Sequence, residues 1–102
     1  MDKRFYINML FDIYGPLMTD RRSETVRLCL EEDLSLSEAA EATGVSRQAV
    51  HDSLNKAEKQ LEEYERLLGV LKMKRAAQEA IRLLDEGDIH GARKALSEIT
   101  EG

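Results

Sequence analysis

Apolar residues recur along this chain at steps of three and four, the period of helices packed on one side, and no segment alternates with the period of two that a strand needs. From Arg4 to Met18 the stripe is Tyr6, Met9, Leu10, Ile13, Tyr14 and Leu17, with Gly15 and Pro16 predicting a kink or an end. Thr19 is placed to cap a second helix, with Asp20 in its first turn and Val26, Cys29 and Leu30 as its buried stripe. A short third helix is expected over Leu36–Thr43. Ser35 and Glu38 stand at the spacing of a capping box before it, and Gly44 follows as the left-handed terminator. Ser46 is a second strong N-cap and opens a long fourth helix. There Val50, Leu54, Ala57, Leu61, Tyr64, Leu68 and Leu71 form a heptad seam. Past Gly69 the frame changes to Val70, Met73, Ala77, Ile81 and Leu84, so the helix either breaks near Gly69 or continues with new partners. Gly87 then closes this segment, and Asp88 caps a last helix with the stripe Ile89, Ala92, Leu96 and Ile99.

The predicted fold is all-α: a helix-turn-helix core, a long fourth helix and a C-terminal helical hairpin. The expected division is a helix-turn-helix domain over 1–69 and a helical arm over 70–102. Leu34–Lys59 carries the functional signal. A capped short helix, a left-handed glycine and a second capped helix place Arg47, Gln48, His51 and Asn55 where a recognition helix meets a groove. Gln and Asn suit an adenine edge and Arg a guanine edge. Arg21, Arg22, Lys56 and Lys59 are the candidate phosphate contacts. The competing reading is a solvated face on a protein-docking module.

Charge sharpens that competition. The chain has 15 basic and 20 acidic residues, for a net charge of −5, and neither the part up to Lys59 nor the remainder is basic. The field that drives nonspecific DNA binding is therefore absent at the scale of the whole chain. A second basic cluster, Lys72, Lys74, Arg75 and Arg82, reads as a solvated helix face paired with Glu79 and Asp85.

No catalytic residue, metal site or cofactor is expected. His51 and His90 lack partners at ligand spacing, the carboxylate pairs lie in exposed charge runs, and there is no glycine-rich phosphate loop. The tyrosines fall on apolar stripes and read as core. A single Cys29 excludes an internal disulfide and reads as a buried structural thiol. No signal peptide or membrane span is present, so a cytoplasmic location is expected, without membrane insertion.

The run Leu17-Met18-Thr19-Asp20, then Glu32-Asp33-Leu34-Ser35-Leu36, then Gly44-Val45-Ser46-Arg47-Gln48-Ala49-Val50 and Asp52, followed by Glu62, Tyr64 and Glu65, resembles the YlxM family of small bacterial proteins. The segment Leu10-Phe11-Asp12-Ile13-Tyr14 fits it too, and the resemblance covers about the first two-thirds of the chain. It implies a core similar to region 4 of sigma factors and a regulatory link to the signal recognition particle. The implied partners are DNA, the particle's RNA or its GTPase. Ala39 and Thr43 stand where larger apolar residues are usual in such units, and His51 where a tyrosine is familiar. Two functions follow as expectations: a regulator that binds nucleic acid through the helix-turn-helix, and a noncatalytic adaptor that docks the GTPase or pairs with itself. Beyond its first two turns the heptad seam must cover the N-terminal helix, the C-terminal arm or another protomer; a homodimer is expected from it, unless the C-terminal hairpin folds back over the same surface and leaves a monomer.

Overall fold

The computed structural model describes residues 2–101 and contains six α-helices, with no strand among the described residues. They fall into two compact units, Met1–Leu67 and Leu68–Gly102.

In the first unit, α1 spans Lys3–Tyr14 and is capped by Asp2, whose carboxylate accepts from the Arg4 amide at 3.1 Å. It buries Ile7, Leu10, Phe11 and Tyr14, a side turned from the expected stripe: Ile7 and Phe11 enter the core, Tyr6, Met9 and Ile13 are half-buried, and Leu17 is exposed. Proline ends it as expected, and Gly15–Leu17 forms a single 3₁₀ turn. A methyl group on Gly15 would sit 3.1 Å from the Phe11 ring, so glycine here leaves room for the ring.

Helix α2, Asp20–Val26, is capped by Thr19 and runs on into a widened π turn over Arg27–Glu31. Nothing in the periodicity signalled that turn. Val26 and Cys29 are buried as expected, whereas Leu30 is only partly covered. The Arg4 guanidinium reaches over from α1 to donate to the Cys29 carbonyl at 3.2 Å and to the Asp33 carboxylate. Asp33 takes φ 58°, a left-handed conformation that Asp tolerates better than most residues.

Helix α3 is Leu36–Thr43, and its capping box is formed in both directions, with Ser35 and Glu38 each accepting from the other's amide at 3.1 Å. Gly44 ends it with φ 74°. The long α4, Arg47–Leu68, starts at Ser46, whose hydroxyl accepts from the Ala49 amide at 3.0 Å. Cys29, Ala39 and Val50 form a buried cluster at the helix-turn-helix junction, flanked by Leu28, Leu34, Leu36, Ala40, Val45 and Leu54. Ala39 has no exposed surface. Its small size belongs to a close approach, and Thr43 turns its hydroxyl inward to the Ala39 carbonyl at 2.7 Å.

Further along α4, Ala57 and Leu61 are buried, and the Tyr64 ring lies 5.8 Å from that of Tyr14. The Tyr14 hydroxyl donates to Glu65 at 2.6 Å, and Lys3 lies 3.7 and 3.8 Å from Glu58 and Glu62. The seam thus packs on α1 of the same chain. Of the coverings open to the seam, the N-terminal helix is the one present. Val50 is buried in the helix-turn-helix cluster, and Ala57 and Leu61 are buried within the first unit, so none of the three is offered to a second protomer. Of the two courses open at Gly69 the helix takes the break: it stops at Leu68, and Gly69 takes φ 62°.

The second unit is the expected hairpin, α5 (Val70–Asp85) and α6 (Ile89–Glu101). Gly87, at φ 83°, makes the turn, and Asp88 caps α6 by accepting from the Gly91 amide at 2.8 Å. The small Ala80 and Ala92 are buried, which lets the two helices pack closely.

Leu61 is fully buried, so Leu61→Ala leaves a cavity between helices. We expect it to lower unfolding free energy by about 2–5 kcal/mol, read from urea denaturation of the full chain followed by circular dichroism.

Candidate nucleic-acid interface

The exposed face of the first turns of α4 presents the predicted base contacts. Arg47 stands at the first position of the helix, and Gln48, His51 and Asn55 follow one above another at steps of three and four, all exposed. Their neighbours are one another. The Gln48 amide donates to Asp52 at 3.0 Å, and the Asn55 amide lies 3.5 Å from Nδ1 of His51. No acidic residue occupies the first turn of α4. The positive end of the helix dipole and the Arg47 guanidinium therefore act in the same sense there.

Asp52 is the residue that sequence reasoning overlooked. It lies in the middle of this face, 3.9 Å from His51, and holds the Gln48 amide. Gln48 must exchange that bond for any bond to a base, and Asp52 repels a phosphate nearby. The i to i+4 spacing of Gln48 and Asp52 is visible in the sequence and was the available signal.

The candidate phosphate contacts divide into two kinds. Arg21 and Lys56 line one groove of about 830 Å³ between α2, the end of α3 and the first half of α4, whose floor includes Val45, Ala49 and Val50. Asp20, Glu24 and Asp52 line it too, so acidic and basic side chains alternate around it. Lys59 is exposed one turn beyond Lys56 and Asn55 on α4. Arg22 also borders the groove but serves the fold. Its guanidinium donates to the Gln60 carbonyl oxygen at 2.7 Å, the Gln60 amide donates to the Tyr64 hydroxyl at 2.6 Å, and that hydroxyl donates to the Leu17 carbonyl at 3.3 Å. This relay ties α2, α4 and the 3₁₀ turn together.

The second basic cluster is partly taken up by its own helix. Arg82 pairs with Glu79 at 2.5 Å and with Glu86 at 2.8 Å, the latter in place of the expected Asp85. The Arg82 guanidinium hydrogen bond holds the Glu79 carboxyl below its ordinary range. Cys29 is buried as expected, and burial pushes its thiol up, more than the nearby Arg4 charge lowers it. A thiol held protonated in this way is a poor nucleophile. Among the described residues no helix is long and apolar enough to cross a membrane.

A capped short helix, a left-handed glycine and a long second helix with an exposed polar face define an all-α helix-turn-helix protein. Residues 1–99 match the family described as "UPF0122: Putative helix-turn-helix protein, YlxM / p13 like", and the chain belongs to that family. The match runs past the first two-thirds and takes in both helices of the C-terminal hairpin. A UPF0122 protein of Symbiobacterium thermophilum is 45% identical over 95 residues, covering 89% of each chain. One from Desulforamulus reducens is 46% identical over 88 residues, covering 81% of this chain and 75% of its own. Another, from Lacticaseibacillus casei, is 40% identical over 84 residues, covering 82% and 74%.

Because Arg22 holds Gln60 while Arg21 is exposed, their alanine variants should differ. Arg22→Ala is expected to cost about 1 kcal/mol of stability and Arg21→Ala less than about 0.5 kcal/mol, measured as shifts in the urea midpoint.

Proposed function

We propose that this protein is a noncatalytic regulator in the signal recognition particle pathway that binds nucleic acid through the exposed face of α4. One observation carries the reading. The apolar side of α4 is buried, which leaves Arg47, Gln48, His51 and Asn55 as a polar strip on the exposed side of the second helix of a helix-turn-helix. Such a strip is the right size and chemistry to enter a groove and bond base edges. In this reading Arg21, Lys56 and Lys59 hold phosphates beside it, and the ligand is promoter DNA or the particle's RNA. The pathway itself rests on the YlxM likeness of the chain.

The acidic balance supports a second reading, in which the protein docks the particle's GTPase without touching nucleic acid. Salt separates the two. Each phosphate contact releases counterions, so log affinity for nucleic acid falls steeply with log salt, whereas an apolar protein contact is nearly insensitive to it.

The purified full chain is titrated against its own upstream DNA, the particle's RNA and the GTPase, each over a range of salt, with fluorescence anisotropy as the readout. The expected result is salt-dependent binding of one nucleic acid, lost by roughly 10- to 100-fold or more in Arg47→Ala/Gln48→Ala with unchanged helicity and melting. Asp52→Asn should bind more tightly, because it removes a charge that repels phosphate and holds Gln48. Binding of the GTPase alone, indifferent to these substitutions, would establish the second reading.

A further inference from the structure

The α5–α6 hairpin carries an apolar face that its own two helices leave uncovered. On α5, Val70 is 37% exposed, Met73 44%, Ile81 59% and Leu84 51%, and Ala77 between them is exposed as well. On α6, Ile89 is 73% exposed and Leu96 40%. The side of α5 that includes Ala76, Ala80 and Leu83 and the side of α6 that includes Ala92, Ala95 and Ile99 are buried or half-buried. At 100° per residue, each exposed stripe lies about a quarter-turn from the covered side of its helix. Because the helices are antiparallel, the two offsets fall on the same side of the hairpin. The stripes therefore merge into one face rather than scattered single residues, of the kind that is often functional.

We propose that this face is where a second copy of the chain docks, about a two-fold axis passing at Ala77. The spacing singles out that occupant. Residues 70, 73, 77, 81 and 84 are separated by three, four, four and three, a palindrome centred on Ala77. Turned end for end about Ala77, the stripe falls on itself: Val70 meets Leu84 of the partner subunit, Met73 meets the partner's Ile81, and Ala77 meets its own copy. An isologous interface requires this self-complementarity. The smallest residue falls at the axis, where two helices must approach most closely.

Charge points the same way. From Leu68 onward the hairpin has six basic and six acidic residues, so the net charge of −5 resides in the first unit. Two neutral hairpins meet without the repulsion that two first units would suffer. The size suffices as well. α5 has 16 residues and α6 has 13. A face about 24 Å long and two helices wide projects to on the order of 450 Å² per copy. With protruding side chains, two copies reach the roughly 1,000 Å² that a specific pair needs.

Sedimentation of the full chain over a concentration range, with circular dichroism as a folding control, tests the pairing. The expected species has twice the 11.6 kDa chain mass. Ile81→Glu, at a site already largely exposed, places a carboxylate in the face twice per dimer and should weaken association at least about a hundredfold with helicity unchanged. Ala77→Cys should form an intersubunit disulfide through position 77 under mild oxidation, whereas the wild type, whose thiol is buried, should not cross-link. A wild type that stays monomeric at about 100 μM overturns the pairing, as does a dimer indifferent to Ile81→Glu. A dimer that does not cross-link through position 77 overturns the axis. These outcomes do not depend on nucleic-acid binding, so this inference and the function proposed above can fail separately.

Discussion

The first unit depends on the burial of one side of α4. That helix meets the helix-turn-helix cluster at Val50, packs on α1 around Leu61 and Tyr64, and is held to α2 and the 3₁₀ turn by the Arg22–Gln60–Tyr64–Leu17 relay. Each large side chain in its seam contributes about 1.5–3 kcal/mol only while it stays covered. Rotating α4 to present a different face would uncover several at once and break the relay. The strip of Arg47, Gln48, His51 and Asn55 therefore inherits its orientation from the core.

The same arrangement separates tasks between the units. The acidic excess lies in the unit with the candidate interface, so under the proposed function recognition there would have to come from short-range contacts, with Asp52 and the acidic residues of the groove opposing indiscriminate phosphate binding. The hairpin is electrically neutral, and its own two helices leave one apolar face uncovered. In a family read from its helix-turn-helix alone, those last two helices would pass for an appendage. The family match takes in both of them.

Features set by neighbouring residues were legible beforehand. The Ser35–Glu38 capping box, the caps at Thr19, Ser46 and Asp88, the end of α1 at Pro16 and the left-handed Gly44 and Gly87 all appear where the spacing put them. Features joining distant residues were not. The Arg4 bond to the Cys29 carbonyl spans 25 positions and the Arg22–Gln60 bond spans 38, and neither end carries a local mark of its partner. Arg22 looked like a phosphate contact because its neighbours are basic and Gln60 is far away in the chain. The π turn at Arg27–Glu31 escaped notice because widening a turn leaves the apolar spacing almost unchanged.

By itself, the sequence determined that the chain is helical, where most helices start and stop, and that each carries an apolar stripe, although on α1 the buried side is turned from it. Those properties follow from caps, proline, glycine and a period of 3.6, all acting within a few residues. Tertiary structure alone decided what covers each apolar side. The seam of α4 could have served a second protomer or its own chain equally well, since a hydrophobic stripe is non-directional and carries no address. Packing against α1 settled that choice, while at Gly69, where two courses had been open, the left-handed glycine ends the helix at Leu68. The stripe on α5 had the same ambiguity, and its exposure shows that neither α5 nor α6 covers it.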